Sequence, residues 1–421
     1  MLSQLIVKKA KAEELTSEEF YLIVDYLMKN GVNEEVKKLF LALNSFGLTK
    51  KEVLYFASAV RDSGRVLKFT ETVFEKHSTG GIGDGSSIAL IPLMASLGYK
   101  IVKTTGRSLV YCNGSSDRFN AIPGFVDHLT HDEVDHCLED NGACVLSHSD
   151  DVCPADKLLY DVMETCGLED DINLLAVSIL AKKLASGAHV VLVDVKYGDA
   201  SIIKTYSEAK KLAKLLKYCF NKFEVKNIIF ITNTLQTFGE AIGNAVEVVD
   251  ALKVLQGRNC FLRKIVCKFA KEMIMKVNKR INKYEIYDLI NASIDCGNAY
   301  RTFMGLVKNQ GGNVKLVEEG KIFRPYKSVN FKADKNGYVG SINSLVLGEI
   351  VRRLCQDTHD NNIGIVLRAK IGDYVHAGDV LVTFYYKNKQ DLKQYEQAIA
   401  GCIRLTSHKV KKIRVVKKVM H

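Results

Sequence analysis

From about Val66 to Leu255 the chain alternates short apolar runs of strand length with longer runs of helical patterning, and few architectures accept that alternation. Lys100–Thr104, Val190–Val195 and Asn227–Thr232 read as strands, and Ser87–Gly98, Ala200–Leu216 and Asn244–Leu255 read as helices. Strands separated by helices of that length require crossover connections, which predicts an α/β fold with a mainly parallel sheet and right-handed crossovers. The stretch from Asp156 to Ser186 interrupts the alternation with two helical patterns, as a helical insertion would.

The flanks have different textures. Residues 1–63 read as short helices with clear start signals, such as Thr16-Ser17-Glu18-Glu19 ahead of the apolar run Phe20–Met28. Glu34–Ser45 and Thr49–Val60 continue that series, and such short-looped helices form a small bundle or offer a face to another subunit. After about Gly320, short alternating strands appear at Val329–Ala333, Gly337–Ile342, Ile363–Arg368 and Val380–Tyr385. The glycine-bearing turns in Lys370–Asp379 look like those of a barrel-sandwich module of the biotinyl or lipoyl type, without its modification motif. The expected organisation is a helical domain (1–63 with 156–186), an α/β domain (66–154 with 187–315) and a C-terminal α+β domain (320–421) carrying that barrel-sandwich-like module.

Composition removes several function classes. A chain of 421 residues with 47% hydrophobic and 25% charged residues has ordinary globular make-up. The N-terminal residues lack a signal-peptide apolar core, and no run reaches the ~18 apolar residues of a membrane span. Eleven scattered cysteines without CxxC spacing suit a reducing, cytoplasmic setting. The net charge of +11 raises nucleic-acid binding, but outside Lys409–Lys418 the basic residues are dispersed and no aromatic–basic pattern accompanies them. The tail reads instead as a solvated edge strand whose lysines discourage pairing. The expected partners therefore exclude nucleic acid and membrane.

Residues 76–87, Lys-His-Ser-Thr-Gly-Gly-Ile-Gly-Asp-Gly-Ser-Ser, carry the chemistry. Gly80, Gly81, Gly83 and Gly85 let the backbone approach a ligand closely, and a helical pattern follows from Ser86. Backbone N–H groups at a helix start, with hydroxyls and Lys76 beside them, form an anion site. The segment is not a P-loop, because no Gly-Lys-Ser/Thr stands at the required offset. Thr105-Gly106-Arg107-Ser108-Leu109 and Asn113-Gly114-Ser115-Ser116-Asp117 form a second small-residue loop after a strand, where open α/β sheets bind ligands.

These two segments resemble the signature of the thymidine phosphorylase and pyrimidine-nucleoside phosphorylase family. Pro154-Ala155-Asp156-Lys157 with Tyr160, the run Ser178–Ala185, Asp194–Gly198, Gly243–Val248 and the Val375–Val380 turn extend the resemblance over nearly the whole chain in the family's order. It implies phosphorolysis of a pyrimidine nucleoside, thymidine foremost, to free base and an α-1-phosphosugar, in a homodimer whose helical domain closes on the α/β domain. Carried onto this chain, the phosphate site is Lys76, Ser78, Ser87, Thr105 and Ser115. The base site is Leu109, Tyr160, Met163, Ser178 and Lys182, with His77 and Lys182 as catalytic groups. No cofactor or catalytic metal is implied, inorganic phosphate being a co-substrate. Some relatives hold a structural monovalent cation, for which Glu247 is the candidate ligand; a plain helix-surface carboxylate is the alternative.

The chain departs from the family pattern at Met163, where relatives place an arginine against the base. A thioether neither donates nor carries charge, and one oriented donor contributes about 3–4 kcal/mol in a transition state. Tyr111-Cys112-Asn113, Ser108 and Val110 depart nearby. Three explanations compete: a phosphorylase with altered base preference, a degenerate binding paralogue, or replacement of the arginine by Lys157 or Arg107. A phosphoribosyltransferase of the anthranilate type, with Glu169-Asp170-Asp171 as its acidic motif, is the remaining enzymatic alternative.

Overall fold

The computed structural model describes residues 2–106, 114–147, 151–358 and 360–421. Its centre is a sheet of five parallel strands, β1 (Phe74–Ser78), β2 (Ile101–Thr105), β3 (Ala143–Ser147), β4 (Val190–Tyr197) and β5 (Lys226–Asn233). Their spatial order is β5-β4-β1-β2-β3. The chain thus builds outward from β1 on one side, then crosses to the other side at β4. Ligands in open α/β sheets bind where that reversal occurs, outside the carboxyl ends of the strands. Here the reversal falls between β1 and β4.

The apolar pattern identifies β2, β4 and β5 but passes over β1 and β3. The reason at β1 is chemical: Phe-Glu-Lys-His-Ser carries Glu75 and Lys76, and both are fully buried. A central strand reads as apolar unless its charges find partners inside the protein. Here they do. Glu75 accepts from Lys183 Nζ at 2.5 Å, from Thr104 N at 2.8 Å and from Ser186 Oγ at 2.5 Å. The helix expected from Ala200 begins at Tyr206, because Thr205 forms a capping box with Glu208 and the preceding residues form an irregular connection.

The N-terminal helices Ser17–Asn30, Glu34–Phe46 and Lys50–Arg61 start where their polar signals place them; Thr16 with Glu19 and Thr49 with Glu52 are both capping boxes. They share one apolar core with Pro154–Cys166 and Ile172–Ala185, so the helical insertion does return to the N-terminal bundle. Phe20 stacks on Phe56 with centroids 5.0 Å apart. Ile172–Ala185 is buried continuously from Leu174 to Lys183, because it lies between Lys50–Arg61 and the sheet-covering helix Tyr206–Lys222.

The C-terminal lobe is two small antiparallel sheets with helices Ser344–Thr358 and Lys389–Ala400. It is interlaced with the α/β part in both directions. Ala241–Ile242 leaves the α/β part to pair with Gly364–Leu367, and Val416–Met420 leaves the lobe to pair antiparallel with β5. The lysine-bearing tail thereby forms the outer strand of the large sheet, exposing Lys417 and Lys418. Among the described residues no helix is long and apolar enough to cross a membrane, and the ten described cysteines are free thiols.

Glu75→Gln is expected to lower stability by about 3–5 kcal/mol, since it strands Lys183 as a buried cation. Glu75→Leu combined with Lys183→Met should recover much of the loss. Denaturant midpoints of both variants check this; a single variant as stable as the parent refutes the role given to the pair.

Candidate active site

The carboxyl ends of β1 and β2 open into a cavity of about 90 Å³, walled on its far side by the helical insertion. His77, Ser78, Thr79, Gly80, Gly81 and Asp84 come from β1 and the loop after it. Lys103, Thr104, Thr105 and Gly106 come from β2, and Gly114, Ser115 and Arg118 from the next helix start. Tyr160, Leu175, Ile179, Lys182 and Lys183 come from the helical insertion, and Ile202 from the connection after β4. One end of the space is therefore hydroxyl- and cation-rich. The side given by the helical insertion carries the apolar Leu175 and Ile179, the Tyr160 phenol and the Lys182 and Lys183 amines.

Among the expected residues, His77, Ser78, Thr105, Ser115, Tyr160 and Lys182 reach the wall. Lys76 and Ser87 stand behind it: Lys76 is sealed from solvent and donates to Ser86 Oγ and Ser87 Oγ, each at 3.0 Å. Ser178 is also behind the wall, donating to Asp156 at 2.6 Å. Met163 is buried in the helical core and does not line the cavity. Leu109 and Arg107 lie outside the described residues. Lys157 is exposed, so it does not fill the place of the missing arginine. Asp171 caps helix Ile172–Ala185 and accepts from Asn44, away from the cavity. Glu169 and Asp170 do not line it either.

The helix N-terminus at Ser86 is already served by an internal carboxylate. Asp84 accepts from Ser86 N at 3.2 Å, from Ser86 Oγ and from Ser78 Oγ at 3.0 Å. A carboxylate there complements the helix dipole. Burial alone would raise the Asp84 carboxyl, but Lys196 and Lys76 outweigh it and hold the group well below the usual carboxylate range. Glu247, the candidate cation ligand, is buried and accepts from Arg118 Nε at 2.6 Å and Gly243 N at 3.2 Å. It is an internal ion-pair partner and not a surface carboxylate.

Lys103 is the site residue that the sequence pattern does not single out. Its neighbours in the site are matched: Lys182 with Asp156 at 2.7 Å, Lys183 with Glu75 at 2.5 Å, Lys196 with Asp194 at 2.5 Å, Lys76 with Asp84 at 3.5 Å. Lys103 has no carboxylate within 4.0 Å among the described residues; it donates to the Thr104 carbonyl at 2.6 Å. Burial, then Lys183, hold its amine well below the usual lysine range. An unmatched ammonium in a cavity wall is a place for an anion. The only sequence signal was its position in the strand that feeds the second small-residue loop.

The opposite end is organised by Asp156, which accepts from both Ser178 and Lys182. Lys182 also reaches Tyr160 Oη at 3.2 Å. Burial would lower the Lys182 amine, but Asp156 and Tyr160 raise it to about 12, so it is a fixed cation at neutral pH. His77 is driven the other way. Burial, followed by Lys183, Lys103 and Lys182, pushes it well below the ordinary histidine value, leaving a neutral imidazole that donates through one N–H.

Residues 70–300 match the glycosyl transferase family, a/b domain, and residues 338–406 match the pyrimidine nucleoside phosphorylase C-terminal domain. The chain is 30% identical over 415 residues to a pyrimidine-nucleoside phosphorylase of Geobacillus stearothermophilus, covering 96% of each. A pyrimidine-nucleoside phosphorylase of Staphylococcus aureus is 30% identical over 421 residues, again with 96% of each covered. Among solved structures, an anthranilate phosphoribosyltransferase from Thermus thermophilus superposes with a TM-score of 0.58 at 18% identity. That match spans 72% of this chain and 98% of the other, a likeness of fold.

Binding an oxyanion beside Lys103 should raise its amine pKa toward the ordinary range, so binding takes up a proton. Sulfate is a suitable probe because it does not itself titrate near neutrality. Calorimetry over a series of pH values, each in two buffers of different ionisation enthalpy, is expected to show proton uptake where the free Lys103 amine is neutral, and that uptake disappears in Lys103→Met. Equal uptake in parent and variant would remove Lys103 from the anion site.

Proposed function

Because the chain belongs to the pyrimidine-nucleoside phosphorylase family, we propose that it cleaves a pyrimidine nucleoside with inorganic phosphate, thymidine being the first-choice substrate. The products are free base and 2-deoxy-α-D-ribose 1-phosphate. The observation that carries this reading is the cavity at the sheet's switch point, walled by Lys103, which has no carboxylate partner among the described residues, and by Lys182, which is held by Asp156.

Phosphate is assigned to the hydroxyl-rich end. Ser115 donates to it, Ser78 and Thr105 do so by turning their hydroxyls away from Asp84 and the Gly106 carbonyl, Lys103 supplies the balancing charge, and Gly80 and Gly81 allow backbone approach. Lys76 and Ser87 act from behind, fixing the helix start against which the loop folds. The base lies toward Tyr160, Leu175 and Ile179, with Leu109 also assigned to it. In the reaction a phosphate oxygen forms a bond to the anomeric carbon as the glycosidic C–N bond breaks. The base leaves with the electron pair, and its ring nitrogen or carbonyl takes up the proton that the hydrogen phosphate gives up on becoming the sugar phosphate. Negative charge developing on the base carbonyls meets the Lys182 ammonium, which Asp156 and Ser178 hold in one orientation. Neutral His77 stabilises the same charge by donating a hydrogen bond. No step calls for a metal or organic cofactor, and Glu247 is assigned a structural ion pair with Arg118 in place of a monovalent-cation role.

Met163 supports a second reading, a binding paralogue with weak or lost turnover, since its side chain adds nothing to the cavity wall. A homodimer completes the proposal, supported by exposed Leu22, Leu41 and Phe46 on the N-terminal helices. The setting we assign is the cytoplasm.

Purified protein is expected to release thymine, and more slowly uracil, from the corresponding deoxynucleosides only when phosphate is present. Phosphate binding without base release from thymidine, deoxyuridine or uridine would decide for the paralogue. Lys182→Met should lower kcat/KM for the nucleoside by about 10²–10³ while sulfate affinity stays within a factor of two or so. An equal loss of sulfate affinity would mean that the two ends of the cavity are assigned wrongly.

A further inference from the structure

The glycine-rich loop after β1 is held on two sides by different parts of the molecule. Its first half rests on β4. Thr79 N donates to the Asp194 carbonyl at 3.1 Å, and Lys196 N donates to Thr79 Oγ1 at 2.9 Å. Gly81 leaves space that the Lys196 stem fills, because a Cβ there would stand 2.7 Å from Lys196 Cδ.

Its second half leaves the α/β part and enters the C-terminal lobe. Ile82 is buried in the lobe's own apolar core, among Leu347, Ile350, Ile363 and Ile365. Gly348 of the lobe helix faces it so closely that an added Cβ would stand 2.4 Å from Ile82 Cδ1. Gly83, at φ +66°, lies against Thr237 and accepts from Gly239 N at 3.0 Å. The segment 236–240 is itself pinned by the lobe. Lys370 Nζ donates to Thr237 Oγ1 at 2.9 Å, to the Thr237 carbonyl at 3.1 Å and to the Gly239 carbonyl at 2.5 Å. Ile371 N donates to Gln236 Oε1 at 3.0 Å and Leu367 N to the Glu240 carbonyl at 2.7 Å. Desolvation outweighs the nearby carboxylates Asp250, Glu240 and Asp373 and brings the Lys370 amine down to about 8, as expected for an ammonium enclosed in an interface.

We propose that the C-terminal lobe is a clamp on the anion-binding loop, with Lys370 as its positioning residue and the Ile82–Gly348 contact as its apolar counterpart. The chain of contacts runs from Lys370 through Thr237 and Gly239 to Gly83, one residue from Asp84 in the cavity wall. Lys370 touches no substrate; it fixes the backbone that does. This assignment rests on the phosphorylase reading only for its catalytic consequence, since the clamp itself is a property of the folded chain.

The experiment compares full-length parent, Lys370→Met and Gly348→Ala. Hydrogen exchange of the peptide covering residues 78–87 should quicken at least tenfold in both variants, while the peptide covering helix Tyr206–Lys222 is unchanged. In turnover, KM for phosphate should rise about tenfold, with KM for the nucleoside within twofold. Gly348→Ala touches Ile82 and not Lys370, so it gives the reading independently if Lys370→Met does not fold. Unchanged loop exchange in a folded variant overturns the clamp. So does loop exchange that quickens together with that of the remote helix, because the effect would then be general destabilisation. Quickened loop exchange in the variants, together with a parent that turns over no nucleoside, supports the clamp and rejects the phosphorylase reading instead.

Discussion

Glu75 and Lys183, both sealed from water, form the contact on which the site depends. A charge in that environment is tolerable only with a close counter-charge and filled hydrogen-bonding positions. Thr104 and Ser186 supply the rest. The result joins β1, β2 and the last turn of Ile172–Ala185 at one point. Lys182, the residue before Lys183, lines the same cavity as Lys103. Replacing the pair by apolar residues would keep the packing but would not fix the two cavity walls to each other with the same directionality.

From that point the electrostatics of the site follow. Carboxylates answer Lys76, Lys182, Lys183 and Lys196, and a carboxylate answers Arg118, so these groups hold backbone and side chains in place. Lys103 is left facing the cavity without such an answer among the described residues. Burial first, and then the same crowd of cations, keep His77 neutral, which makes it a hydrogen-bond donor and not an acid of ordinary histidine strength. Burial lowers all three groups, and they differ in their neighbours: Asp156 and Tyr160 bring Lys182 back up, while nearby lysines push Lys103 and His77 further down.

The strand–helix alternation, the capping boxes at Thr16 and Thr49, and the strands β2, β4 and β5 were legible because each is a local signal of period or cap chemistry. The helix after β4 was placed too early because the apolar residues 200, 202 and 203 are buried beneath an irregular connection and not on a helix face. β1 was illegible as a strand for a more instructive reason. Its charges belong to the site, and they are tolerated only through partners that stand as far as 111 residues away in the chain. Likewise Lys103 reads in sequence as an ordinary polar position in a short strand, and Met163 as a member of the base pocket.

The sequence by itself determined the family, the α/β alternation with three of its five parallel strands, and the loops that meet at the switch point, since these rest on local patterns and collinear motifs. Only the tertiary structure decided which of the motif residues face the cavity and which stand behind it. It turned Lys103 and Lys182 inward, withdrew Met163 and Ser178, gave Glu247 to Arg118, and threaded Ile82 into the C-terminal lobe. The physical reason is that burial and counter-charge are properties of neighbours in space, and in this fold those neighbours come from segments far apart along the chain.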